Sequence, residues 1–323
     1  MELKFSAGLW VFGGAVDRFC PKGYSDLLSV EEIIEKAGRV HGLKGVECHQ
    51  TDFDTITTKK FTELLKNAGL TCSNINLNVW GASKWKLGAF SSLNKNLRKE
   101  AISEGKRAVD IAREIGCPSI GLWLGSDGFD YPFQVDYRSQ WDSLLSAIRE
   151  VAEYASPDIK VGIEYKLKEP RTHIAIGTVG KALAIVLELN MDNLGVTIDF
   201  GHSLMAKENP GESVAILARH KKLFNIHFND CYREWDDDMI PGVIHFWETL
   251  EFLYYCRLIE YDGWFALDMY PYREDPVESA QMAIDNIKAM WKICDKIDVE
   301  KLVNAQKSMD AIKTQKIIRS VIF

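Results

Sequence analysis

No run of about 20 uncharged apolar residues occurs in the 323-residue chain, so no segment can cross a bilayer as a helix and no membrane partner is expected. Its first residues, MELKFSAGLWVF, have neither the basic opening nor the small-residue cleavage site of a secretory leader, which makes a cytoplasmic protein the expectation. The seven cysteines include no CxxC pair, so disulfides and a thiolate zinc site are disfavoured and reduced, buried thiols are expected. Lys and Arg form no cluster and the formal net charge is −7, which excludes nucleic acid as a natural partner, because phosphate binding needs a basic surface. No Gly-, Ser- or Pro-rich linker and no low-complexity segment divides the chain.

What is present is alternation. With 46% hydrophobic residues the chain can bury a large core, and short β-like runs alternate with longer amphipathic ones. Strands are expected to begin near Phe5, Gly45, Thr71, Ser119, Lys160, Leu194, Leu223 and Trp264. Between them lie helical patterns such as SVEEIIEKAGRV, KNLRKEAISEGKRAVDIAREIG, YRSQWDSLLSAIREVAEYA, TVGKALAIVLELN and VIHFWETLEFLYYCRLIEY. Eight such pairs predict an α/β chain folded as one (β/α)8 TIM barrel over residues 1–297. The remainder, 298–323, reads as one more amphipathic segment, a short C-terminal helical extension.

KVGIE, LGVTID and WFALD are near-continuous apolar runs, as parallel strands buried on both faces require. The polar residues at their C-terminal ends are therefore the exceptions, and in this fold that end carries the active site. Glu164, Asp199, His227 and Asp268 close the fifth to eighth strands and would converge as three carboxylates and one imidazole. That oxygen-rich set suits Mn, Mg or Co better than a structural zinc cage. A second set overlaps it. His202 follows Asp199 by three positions, and alternate residues of an extended REWDDDMIPG loop would aim Asp236 and Asp238 together, so that Asp199, His202, Asp236 and Asp238 could hold a second ion. Taken singly, Asp199 reads equally as a helix N-cap and the DDD run as a solvated turn.

Lys166 shares a strand face with Glu164 and is positioned to hydrogen-bond a carbonyl oxygen. Trp10, Trp80 and Trp123 fall at or just past the ends of strands one, three and four, where aromatic rings exclude water or simply belong to the core. His41, His173, His220 and His245 fall in or beside helical stretches and receive no role.

At these residues the chain resembles the sugar-isomerase group of xylose isomerase-like barrels, from Phe5 to about Arg273. FSAGLWVFGG looks like the first-strand signature, GVECHQTDFD resembles a GVxxHxxD segment and IEYKLKEPR an ExKPxEPR segment, while GAFSS, TVGKALA, DFGHSLMA and YDGWFALD continue the match. Asp199 and His227 depart from xylose isomerase, and the Glu/Asp/His/Asp set with its DDD loop is similar to L-rhamnose isomerase instead. The chain is also shorter than typical xylose isomerases, lacking most of their C-terminal arm. The resemblance implies aldose–ketose isomerisation of a small monosaccharide by a C1/C2 hydride shift, with two divalent ions (Mn2+, Mg2+ or Co2+) and a homodimer or homotetramer. It further implies that His49 opens the sugar ring, that Asp52 accepts the other imidazole N–H, and that Trp10, Trp80 and Trp123 cage the sugar. The alternatives are a metal-dependent ketose 3-epimerase of the same superfamily and a non-catalytic sugar-binding barrel.

Overall fold

Each expected strand forms where its apolar run begins. In the computed structural model, which describes residues 2–17 and 19–323, these strands are β1 (Lys4–Gly8), β2 (Leu43–His49), β3 (Thr71–Asn76), β4 (Ser119–Trp123), β5 (Lys160–Glu164), β6 (Leu194–Asp199), β7 (Leu223–Phe228) and β8 (Trp264–Leu267). They close a barrel in the order β1-β8-β7-β6-β5-β4-β3-β2, and every neighbouring pair is parallel. Parallel strands are covered by helices outside and by one another's side chains within, and β6 is accordingly buried at every position.

The covering helices are α1 (Val30–Gly38), α2 (Thr58–Ala68), α3 (Lys95–Ile115), α4 (Tyr137–Ala155), α5 (Val179–Leu189), α6 (Phe200–Met205), α7 (Pro210–Arg219), α8 (Phe246–Leu258) and α9 (Pro276–Cys294). Their starts are chemically marked. Ser29 and Glu32 form a reciprocal capping box, and Asn94, Asp136, Thr178 and Asp275 accept first-turn N–H groups. α2 and α3 stop at Gly69 and Gly116, whose φ values of 71° and 74° side-chain-bearing residues rarely adopt. Between barrel and helices, Phe228 packs within 5.3 Å of both Phe200 and Phe252 and 6.3 Å from Phe265, joining β7 and β8 to α6 and α8.

The extension differs from the single segment expected. It is two helices, α10 (Val299–Lys307) and α11 (Ala311–Ile322), because Met309 takes a left-handed φ of 50° and Asp310 caps a new start. α10 buries Leu302 and Ala305, whereas no residue of α11 is fully buried. A small antiparallel sheet of Gly128–Phe129, Lys168–Glu169 and Thr172–Ile174 was not foreseen, since strands of two or three residues carry no readable period. α8 also starts later than its pattern, at Phe246, because Asp230 Oδ2 accepts the N–H groups of Ile244 and His245 and keeps them in the loop.

All seven cysteines are free thiols, and every one except Cys20 is buried. Among the described residues no helix is long and apolar enough to cross a membrane.

Candidate active site

Glu164 ends β5, Asp199 ends β6, His227 is the penultimate residue of β7 and Asp268 follows β8 directly. Barrel closure brings one donor atom from each to within 4.8 Å of the others. His227 Nδ1 lies 3.2 Å from Glu164 Oε2 and 3.1 Å from Asp268 Oδ2. A second set, Asp199, His202 and Asp236, meets the same 4.8 Å limit and shares Asp199 with the first. Here His202 Nδ1 lies 3.1 Å from Glu164 Oε1, and His202 Nε2 lies 3.0 Å from Asp236 Oδ2.

The buried Nδ1 atoms of His202 and His227 and Oδ1 of Asp236 make no hydrogen bond, although carboxylate oxygens surround the two nitrogens at 3.1–3.2 Å. Buried polar atoms are almost always satisfied, so these converging atoms invite either shared protons or a third party between them. A divalent cation could be that third party, and the carboxylate-rich composition with one imidazole per set fits Mn2+, Mg2+ or Co2+.

The electrostatics agree. Burial opposes ionisation of Glu164, yet the flanking His227 and His202 hold its carboxyl far below the usual range. Burial, reinforced by Asp236, Asp268 and Glu164 and opposed by His202, pushes Asp199 up to about 7. Against burial, Asp199 and Asp236 raise His202, and Glu164 and Glu47 raise His227. A site this crowded with carboxylates compensates its charge with protons on imidazoles, and a cation would take their place.

Asp199 is the N-cap of α6 and also a member of both donor sets. Its Oδ1 accepts the N–H of His202 at 2.8 Å as the N-cap of α6, while Oδ2 accepts from Asn229 Nδ2 at 2.9 Å. Asp238 does not join the second set. Its φ of 48° breaks the extended run on which the alternation of Asp236 and Asp238 depended, and its carboxylate instead accepts from Asn229 Nδ2 at 3.3 Å.

Lys166 is buried beside this set, with Nζ 2.7 Å from Asp236 Oδ2 and a second ion pair to Glu169. Burial disfavours its charge, but these two carboxylates raise its pKa well above the ordinary value, so it remains a proton donor. A continuous wall runs outward from it. Lys166 Nζ lies 5.1 Å from the Trp123 ring, Trp123 packs edge-on to Trp80 at 4.9 Å, Trp80 on His49 at 6.0 Å, and His49 on Trp10 at 4.8 Å. Burial lowers the pKa of His49 despite nearby Asp52 and Asp268, leaving a neutral imidazole able to accept a proton. Asp52 differs from its expected role, since its carboxylate accepts the main-chain N–H of His49 at 2.8 Å and not an imidazole N–H. The 3-10 turn Gln50–Asp54 after β2 bends the carboxylate back onto the backbone.

Three supports escaped the sequence reading. Glu47, mid-strand in β2, accepts from His227 Nε2 at 2.9 Å. Asn229 bonds Asp199, Asp238 and the N–H of Gly201. Asp230 bonds His245 Nδ1 at 2.8 Å, and His245 Nε2 accepts from Arg233 at 2.8 Å, so a histidine set aside in the sequence braces the loop that carries Asp236. The available signal for Glu47 was a carboxylate inside the otherwise apolar GVECH run.

The same architecture occurs in solved sugar epimerases. The structure matches L-ribulose 3-epimerase with a TM-score of 0.73 at 15% identity, over 91% of this chain and 96% of that one. It matches D-allulose 3-epimerase from Methylomonas sp., in complex with D-allulose, with a TM-score of 0.70 at 17% identity over 89% and 97% of the two chains. For a D-tagatose 3-epimerase-like protein the TM-score is 0.69 at 21% identity, over 90% and 99%. At such identities the likeness is one of fold. The sequence itself matches the family model over residues 36–300, and the chain belongs to the family of xylose isomerase-like TIM barrels.

Proposed function

We propose that this protein is a divalent-metal-dependent enzyme that interconverts isomeric monosaccharides, and specifically an aldose–ketose isomerase. The observation that carries the specific reading is the pair of donor sets sharing Asp199, with Lys166 seated on Asp236 of the second. Glu164, Asp199, His227 and Asp268 would hold one ion, and Asp199, His202 and Asp236 another. When bound, such ions supply Lewis-acid polarisation of adjacent sugar oxygens.

The remaining chemistry falls to side chains. Neutral His49 is suited to take the proton of the anomeric hydroxyl and return it to the ring oxygen, opening the sugar. Lys166 is suited to donate to the oxygen that carries the developing negative charge. Trp10, Trp80 and Trp123 present apolar faces that exclude water from the open chain. Hydrogen then passes from C2 to C1 with its bonding pair, and the O2 proton passes to O1. C2 is oxidised and C1 reduced, so no outside redox partner is needed.

The solved relatives favour a second reading, ketose 3-epimerisation, more than the first. In that case Glu164 and Asp268 would act as base and acid on opposite faces of C3. Asp268 is the shorter carboxylate, already engaged by Trp10 and turned toward His227, which speaks for ligation over proton transfer. Incubation with Mn2+ and a panel of aldoses and ketoses in D2O, followed by NMR, separates the two. A hydride shift gives a C1/C2 isomer that retains its hydrogen, whereas proton abstraction gives a C3 epimer carrying deuterium. A deuterated C3 epimer as sole product overturns the isomerase reading.

A further inference from the structure

Inside the barrel, directly beneath His227, four donors converge on one buried carboxylate. Glu47 Oε1 accepts from Asn225 Nδ2 at 2.9 Å, and Oε2 accepts from Asn76 Nδ2 at 2.7 Å, Asn74 Nδ2 at 3.2 Å and His227 Nε2 at 2.9 Å. An ionised carboxylate only accepts, so all three amides must turn their NH2 groups toward it, and the imidazole must offer an N–H. The amide cluster is tied down in turn. Asn74 Nδ2 also donates to Asn76 Oδ1 at 2.9 Å, and Ser119 Oγ donates to Asn74 Oδ1 at 2.9 Å. This polar layer is an unusual filling for a barrel interior, where branched apolar side chains normally pack.

We propose that Glu47 is a positioning residue that keeps the proton of His227 on Nε2 and thereby makes Nδ1 the atom offered to a cation. The proposal rests on the metal reading above and deepens it. A neutral imidazole carries one N–H, and an acceptor fixed on one side leaves the lone pair on the other. That other side is Nδ1, buried, unbonded, and 3.1–3.2 Å from the carboxylates of Asp268 and Glu164. Four donors on Glu47 also hold the carboxylate in place, so the imidazole ring cannot turn without breaking the layer. Glu47 is not among the residues whose donor atoms converge, and it serves only through the ring.

Two measurements test the assignment. Chelator-treated protein is titrated with Mn2+ by calorimetry, alongside Glu47→Leu, and protein labelled with 15N-histidine is loaded with diamagnetic Mg2+ for long-range 1H–15N NMR. The expected results are a His227 signal protonated on Nε2 and bare on Nδ1, and a dissociation constant for Mn2+ raised roughly 10- to 100-fold in the variant. A proton on Nδ1 in the Mg2+-loaded protein overturns the proposal, and that measurement stands even if the variant does not fold. Folded Glu47→Leu, which leaves Nε2 without this acceptor, overturns it if it binds Mn2+ as tightly as the parent, while leaving the metal reading intact. Parent protein that takes up no Mn2+ overturns both.

Discussion

The indole N–H of Trp10 donates to Oδ1 of Asp268 at 2.7 Å, across the seam where the first and last strands of the barrel pair. The ligand candidate just after β8 is thus oriented by the tryptophan just after β1, with its Oδ2 left facing His227 Nδ1 at 3.1 Å. Trp10→Phe keeps the wall and removes the donor. A hydrogen bond to a charged group is worth about 1.5 kcal/mol or more, so the affinity for Mn2+ should weaken roughly tenfold with little loss of folded protein. Calorimetric titration decides it, and an unchanged affinity means that Asp268 is held by other contacts.

Sharing of Asp199 makes the two donor sets separable by mutation. His202→Ala and Asp236→Asn each strip the second set alone, and bound Mn2+ per chain should fall from two to one. Asp199→Ala touches both sets and should bring the stoichiometry below one. Metal analysis of gel-filtered protein reads the count directly. Two ions retained in both single variants would refute the second site.

Lys166→Met replaces the ammonium by an uncharged side chain of similar length. Loss of one preorganised donor to a developing oxyanion lowers kcat on the order of 100-fold, and KM should move much less. Asp236 and Glu169 lose their partner cation, so Mn2+ should bind the variant at least as well as the parent. Steady-state kinetics with a metal titration checks both halves, and a fall in KM-limited binding alone would assign Lys166 to ground-state contact.

The metal-free protein should lose stability on the alkaline side. His202 and His227 both have folded pKa values raised well above their ordinary 6.5, against burial, by the carboxylates around them. A raised folded pKa means the charge pairing stabilises fully below about pH 6.5 and is lost as pH climbs through the folded value. The melting temperature of chelator-treated protein should therefore fall on the alkaline side, while Mn2+ uptake near neutrality releases protons and tightens as pH rises. Melting curves and calorimetry in buffers of different ionisation enthalpy test the pair.

Local pattern located much of this molecule. The runs LGVTID and KVGIE are legible as buried parallel strands because they are near-continuously apolar up to the end, and the carboxylate at that end is Asp199 or Glu164. The α3 and α4 patterns matched their helices closely because their caps, Asn94 and Asp136, sit beside the first apolar repeat. Where a contact overrode the pattern, the reading failed. Asp230 delays the start of α8, Met309 divides the extension, and the backbone of Asp238 turns left-handed within a loop read as extended.

Residue types and their periods were enough to establish the parallel barrel and the strand ends whose polar side chains converge, since strand and helix periods are properties of short stretches. They could not show that Asp52 would bend to its own backbone, that Trp10 would hold Asp268, or that Glu47 would meet His227 from 180 positions away. Those relations arise only when closure brings distant strands side by side and each polar atom, removed from water, must find its partner among the few within reach.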